Sequence, residues 1–253
     1  MTRIISVISG KGGTGKTTTV ANVGAALAEL GYDVLILDAN LTTPNLGLHL
    51  GMALSPITLH DVLKRKAPIH KAIYKNKKGL KIIPAGIGID DLRGIDARDL
   101  PTLMLDLVGN VDIILIDGAA GLGRETLSAI ESSDETIIVT TPDLPSVTDA
   151  LKSIKLAEQI GTKVIGVVIN RIKNKSHELS REDIESMLEV PILAEISESD
   201  AIQESISKRM PIIYHNPSHI SSQQFKKLAY NLVGIDYEIK KPWHERLFGF
   251  LFK

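Results

Sequence analysis

The 253-residue sequence predicts an α/β fold: a doubly wound, mostly parallel sheet with helices on both faces. Three observations predict it. Apolar, β-branched runs recur along the chain and alternate with stretches of helical period. Each run is nearly continuous, which marks strands buried on both faces. The polar residues best suited to chemistry, Asp38, Asp117 and Asn170, each follow such a run. That is where a parallel sheet gathers its ligands.

The elements follow in order. Residues 4–8 form the first run, and a helical pattern fits about 16–30. The run 34–37 leads to Asp38, and the short run 80–83 is closed by Pro84. Residues 113–116 lead to Asp117, followed by runs at 136–140, 164–169 and 191–194. Further helical patterns fit about 99–109, 124–132, 145–161, 180–188, 199–208 and 218–233. The least regular stretch, 41–79, is expected to hold a switch loop and a short helix near 59–65. Residues 75–79 read as a basic, solvated turn.

Between the first strand and the first helix stands Ser9-Gly10-Lys11-Gly12-Gly13-Thr14-Gly15-Lys16-Thr17-Thr18. Strand, glycine-rich loop and helix are the context of a phosphate-binding loop, which makes the fold one of P-loop NTPase type. Glycines let successive N–H groups turn toward an anion, and the following helix adds its positive end. Residues 10–18 are the expected nucleotide cradle. Lys16 would reach the β- and γ-phosphates, and the Thr17 hydroxyl would bind Mg²⁺.

Lys11 is a second lysine that one nucleotide does not need. In Lys-Gly-Gly-Thr-Gly-Lys-Thr-Thr the chain resembles the deviant Walker A ATPases, the MinD/ParA group. The resemblance implies an ATP-dependent homodimer in which Lys11 crosses to the partner's ATP. Iron–sulfur members of the group need cysteine ligands, and this chain has no cysteine. Disulfides and thiolate chemistry go with them. A net charge of −1 disfavours a surface coated for nucleic acid, so DNA is not the expected partner, although a local basic patch remains open. No signal peptide or membrane-spanning run is recognised, and a cytoplasmic protein is expected.

Asp117, after four apolar residues, has the placement of a Walker B acid that holds Mg²⁺. The segment from Asp38 through Asn45-Leu46 resembles the first switch of the MinD branch. There Asp38 matches an acid near the metal's hydration shell. Position 40 departs from that pattern: it is Asn, where relatives carry an acid that positions the attacking water. Asparagine keeps the shape but loses the charge, so a slow ATPase is expected, with Lys11, Lys16, Asp38 and Asn40 as its catalytic set. By the same resemblance, Asn170-Arg171 would meet adenine, since an amide offers both donor and acceptor. Residues 191–200 would cover the other side of the base.

The chain's end gathers the single tryptophan and three of the four phenylalanines. At helical spacing Trp243, Leu247, Phe250 and Leu251 share one face, widened by Phe248 and Phe252 and flanked by Lys240, Lys241, Arg246 and Lys253. That composition suits a helix lying on anionic headgroups. It resembles the C-terminal membrane-targeting sequence of the MinD branch. A terminal helix packed on the protein's own core is the other reading. The expected organisation is an ATPase domain, 1–238, and an amphipathic tail, 239–253. Together these features predict a switch peripheral to the inner face of the cell membrane. It would serve cell division or the positioning of cellular assemblies, with a protein effector or activator. A ParA-type DNA-partition ATPase and a nucleotide-dependent scaffold with negligible turnover are the alternatives.

Overall fold

The structure, a computed structural model, describes residues 1–52 and 54–239. The chain runs β1 (Arg3–Ser9), α1 (Lys16–Glu29), β2 (Val34–Asp38), α2 (Leu46–His49), α3 (Leu59–Leu63), β3 (Tyr74–Lys75), β4 (Lys81–Ile83) and α4 (Leu100–Leu105). It continues β5 (Ile113–Ala120), α5 (Arg124–Glu131), β6 (Glu135–Thr140), α6 (Leu144–Ile160) and β7 (Lys163–Ile172). It ends α7 (Arg181–Leu188), β8 (Ile192–Ser197), α8 (Asp200–Ser207), α9 (Ile212–His215) and α10 (Ile220–Leu232). The eight strands lie in the order β3-β4-β2-β5-β1-β6-β7-β8. All neighbours are parallel except β3 against β4.

Period-2 alternation sends successive side chains to opposite faces, and both faces are covered. Ile5, Val7, Val34 and Ile36 join a core with α1, α9 and α10. Ile4, Leu35, Leu37 and Ile114 join a second core with α3 and α4. Ile8, Ile138, Val167 and Ile169 join a third with α6 and α7. Each large aliphatic side chain removed from water in this way contributes roughly 1.5–3 kcal/mol. This explains why the strand runs are nearly continuously apolar.

Several boundaries differ from the sequence expectation. Asp117 and Asn170 do not end their strands. β5 continues to Ala120 and β7 to Ile172, because Asp117 pairs with Val7 and Ala120 with Ser9, and Ile172 pairs with Ser197. Helix α4 is shorter than 99–109: Asp106 follows it and Gly109 turns the chain at φ 86°. Lys75 belongs to β3, paired with Lys81, and the basic turn is confined to 76–79. The four-residue helices α2 and α9 have too few residues to show a period. The tail residues Trp243, Leu247, Phe248, Phe250, Leu251 and Phe252 lie outside the described residues. Among the described residues no helix is long and apolar enough to cross a membrane.

Candidate nucleotide-binding site

The loop between β1 and α1 opens at the carboxyl end of the sheet, where a doubly wound fold places its ligand. Gly15 sits at φ 93°, a conformation that favours glycine, and a Cβ there would meet Asn170 Nδ2 at 2.0 Å. Gly10 is needed for close approach: a Cβ would lie 2.4 Å from the Asp149 carbonyl oxygen on α6. No side chain caps α1 and its first turn carries no acid, so its positive end is open to an anion. The loop residues 12–18 line a cavity of about 360 Å³, together with Asn40, Asn170, Ile202 and Gln203. That volume suits a small organic ligand.

Two carboxylates stand behind the loop on adjacent strands. Asp38 and Asp117 are paired in register and fully buried. Thr17 Oγ1 donates to Asp117 Oδ2 at 2.6 Å, while Asp117 Oδ1 is buried with no partner. Asp38 accepts the Asn40 N–H at 3.2 Å and the Leu46 N–H at 3.0 Å. Burial pushes the Asp38 carboxyl well above its ordinary range, and the Asp117 charge adds to this against the main-chain bonds. Burial also raises Asp117, opposed by the Lys16 charge and the Thr17 hydroxyl. A hard cation would satisfy the orphaned oxygen and relieve the repulsion. The donors fit Mg²⁺, which takes one or two carboxylates beside phosphates and water. Among the described residues no cluster of three or more His, Cys, Asp or Glu offers a richer metal site.

Asn40 is nearly buried, and its amide is engaged within the switch loop. Nδ2 donates to the Thr43 carbonyl at 2.6 Å, while Oδ1 accepts the Thr43 N–H at 3.3 Å and its hydroxyl at 3.1 Å. A carboxylate could not make the first of these bonds. Asn170 donates through Nδ2 to the Thr14 carbonyl at 2.7 Å, so it braces the loop as well as facing the cavity. Arg171 holds φ 59°, the left-handed region, beside a break in the β7–β8 register. It lines both this cavity and its neighbour.

The two loop lysines are kept apart. Lys16 lines the first cavity, whereas Lys11 lines a neighbouring one of about 380 Å³ with Thr141, Asp143 and Lys173. Lys11 Nζ lies 3.1 Å from Asp143 Oδ1. Asp143 also caps α6 through the Ser146 N–H at 3.0 Å and accepts from the Thr141 and Ser146 hydroxyls at 2.6 and 2.7 Å. Partial burial opposes its ionisation, but these bonds and the one from Lys11 outweigh burial and hold its carboxyl below the usual range.

With this geometry in view, comparison with known proteins decides the family. Residues 5–212 match the model described as the CobQ/CobB/MinD/ParA nucleotide binding domain. The chain belongs to this MinD/ParA family. It is 39% identical over 234 residues to an uncharacterised ATP-binding protein of Methanocaldococcus jannaschii, covering 92% of this chain and 89% of that one. The septum site-determining protein MinD of Pyrococcus horikoshii, solved with Mg-ADP, superposes with a TM-score of 0.90 at 38% identity, covering 92% and 97%. MinD in the MinC:MinD cell division complex of Aquifex aeolicus superposes at 0.82 with 31% identity, covering 94% and 98%.

For this MinD/ParA chain, Lys16, Thr17, Asn40 and Asn170 line one crevice, Asp117 is tied to it through Thr17 with Asp38 in register beside it, and Lys11 lines the neighbouring cavity. Sequence reasoning missed Asp143, which is 132 residues from Lys11 in the chain. It also missed Ile202, Gln203 and Ile206 of α8, and His49 of α2, in the cavity wall. The cap position of Asp143 before Leu-Pro was a usable signal for a helix start, though not for an ion pair.

Proposed function

We propose that this chain is a Mg-ATP-dependent dimerising switch of MinD type that hydrolyses ATP slowly and attaches to a membrane in its ATP state. The observation that carries the reading is Lys11. Its ammonium is held at the accessible rim by Asp143, outside the cavity that Lys16 already serves. A cation in that place is available to a second nucleotide, on a second copy of the chain.

In this reading the loop N–H groups and Lys16 bind the β- and γ-phosphates and orient them. Thr17 and Asp117, with Asp38 behind them, hold Mg²⁺, which draws charge from the phosphate oxygens when bound. Asn170 and Arg171 bound the base end. Asn40 orients water through a neutral amide and cannot take its proton, which keeps turnover slow. Trp243, Leu247, Phe248, Phe250, Leu251 and Phe252 supply the lipid-facing side of the tail. One amphipathic segment of this composition binds weakly, and two joined in a dimer would gain about 10²–10⁴ in avidity. The tail places the protein on the inner face of the cell membrane, peripheral and reversible. The Aquifex complex supports a protein effector as partner, and the family likeness supports a role in division or positioning.

The test is sedimentation of the full chain with anionic vesicles. Recovery with Mg-ATP is expected to exceed recovery with Mg-ADP, and the double substitution Leu247→Glu, Phe250→Glu is expected to abolish the difference. Equal recovery in both nucleotides contradicts the reading. The Thr43 bonds that occupy Asn40 favour a second reading, a scaffold with negligible hydrolysis. Phosphate release measured beside ATP binding separates the two.

A further inference from the structure

We propose that Glu125 is a positioning residue of this switch, a latch that couples the loop after Asp38 to the helix that follows Asp117; the inference rests on the reading of the site as a Mg-ATP switch. Glu125 lies in the first turn of α5. Its Oε2 accepts the Leu41 N–H at 3.0 Å and the Thr42 N–H at 3.4 Å, and its Oε1 accepts the Thr42 hydroxyl. Three donors from one loop thus converge on one carboxylate across 83 and 84 positions of sequence.

Leu41 is held from the other side as well. His60 Nε2 lies 3.1 Å from the Leu41 carbonyl. The tautomer follows from the other ring nitrogen: Nδ1 accepts the Gly86 N–H at 2.9 Å, so Nε2 carries the proton and donates. The Leu41 side chain is itself buried with Leu37, Leu59 and Ile116. One residue therefore has its N–H, its carbonyl and its side chain all fixed, directly after Asn40.

The geometry gives the latch its function. Asn40 and Leu46 donate main-chain N–H groups to Asp38, so the loop is tied to the metal-facing carboxylate at its two ends. Of the two clamps on Leu41, Glu125 is the one carried by α5, which starts four residues beyond Ala120 of β5. A shift of the turn 121–123, which follows the cavity-lining Ala120, against a γ-phosphate would move the start of α5. Glu125 transmits that shift to the Leu41 N–H, part of the peptide shared with Asn40, while His60 and the core hold the rest of Leu41. The carboxylate is not spent on its own helix: its hydrogen bonds run to Leu41 and Thr42 of the loop.

The test compares the full chain with Glu125→Ala and Glu125→Gln. Hydrogen exchange is read at the Leu41 and Thr42 amides with Mg-ADP and with a non-hydrolysable Mg-ATP analogue. Exchange there is expected to differ between the nucleotides in the intact chain, and Glu125→Ala is expected to erase the difference and speed exchange about tenfold. The kcat for phosphate release is expected to fall roughly 10–100-fold with KM and Mg-ADP affinity within about twofold, and Glu125→Gln, which keeps an acceptor, to recover part of it. A chain that binds ATP without hydrolysing it removes the enzymatic reading but leaves the exchange comparison decisive. Unaltered exchange in Glu125→Ala overturns the latch. So does a parallel fall in kcat, nucleotide affinity and melting temperature, which marks a merely structural role.

Discussion

Lys11 and Asp143 form an ion pair 3.1 Å long that closes the loop lysine onto its own subunit. Both side chains are more than a third exposed, so solvent screens the pair and its worth is at most about 1 kcal/mol. A contact that weak holds Lys11 in place without committing it. In the proposed dimer, a triphosphate presented by a second copy would offer more charge than one carboxylate and would take the lysine over.

Replacing Asp143 by serine tests that competition. Serine keeps an oxygen for the cap of α6 and removes the charge. The dimer of the ATP-loaded protein is expected to tighten by up to about fivefold, the equivalent of the lost pair. Concentration-dependent sedimentation measures it, and a dimer that weakens or stays unchanged counts against the pair as a competitor.

Asp117→Asn separates metal binding from stability. The carbonyl of the introduced amide can keep the Thr17 hydroxyl, and its NH₂ would occupy the orphaned position. The substitution removes a charge whose burial cost outweighs its attraction to Lys16, and its repulsion of Asp38 goes with it. The ligand-free melting temperature is expected to rise by about 2–4 °C, while the increment given by Mg²⁺ with ADP is lost. A fall in the ligand-free melting temperature contradicts the arrangement.

His60 gives a dependence on pH. Burial lowers its pKa from the ordinary value, and the charge of Lys64 acts in the same direction. Asp91, the Leu41 carbonyl and Asp61 oppose it. The unfolded chain therefore binds a proton at His60 before the folded chain does. Stability is full above pH about 6.5 and is lost as pH falls from there through the lower folded value. His60→Gln keeps a donor for Leu41 and cannot titrate. Its melting temperature is expected to fall less steeply than that of the intact chain between about pH 7 and 5, with His49, also lowered by burial, acting in the same direction as His60 and the raised carboxyls of Asp38 and Asp117 in the opposite one. Parallel curves exclude His60 as the source.

What the sequence reveals and what it hides has a physical basis. The phosphate loop is legible because its chemistry is local: Gly15 must take φ 93° within one turn of Lys16 and Thr17. The strands are legible because burial on both faces leaves few polar interruptions, such as Ser6, within the apolar runs. Asp143, Glu125 and His60 are hidden because their partners lie across the fold, and nothing near them in sequence names Lys11 or Leu41. The role of Asn40 is half legible. Its missing charge is plain in the sequence, whereas its bonds to Thr43 depend on how the loop closes. Asn170 shows the same limit, since its tie to Thr14 joins two segments 156 residues apart.

The most direct measurement is the solution mass of the full chain by light scattering, with Mg-ADP and with a non-hydrolysable Mg-ATP analogue. The account predicts the 27.5 kDa single chain with ADP and twice that mass with the analogue. It also predicts that Lys11→Ala binds the analogue and remains single. A chain that stays at 27.5 kDa when saturated with the analogue, or a Lys11→Ala variant that doubles like the intact protein, contradicts it.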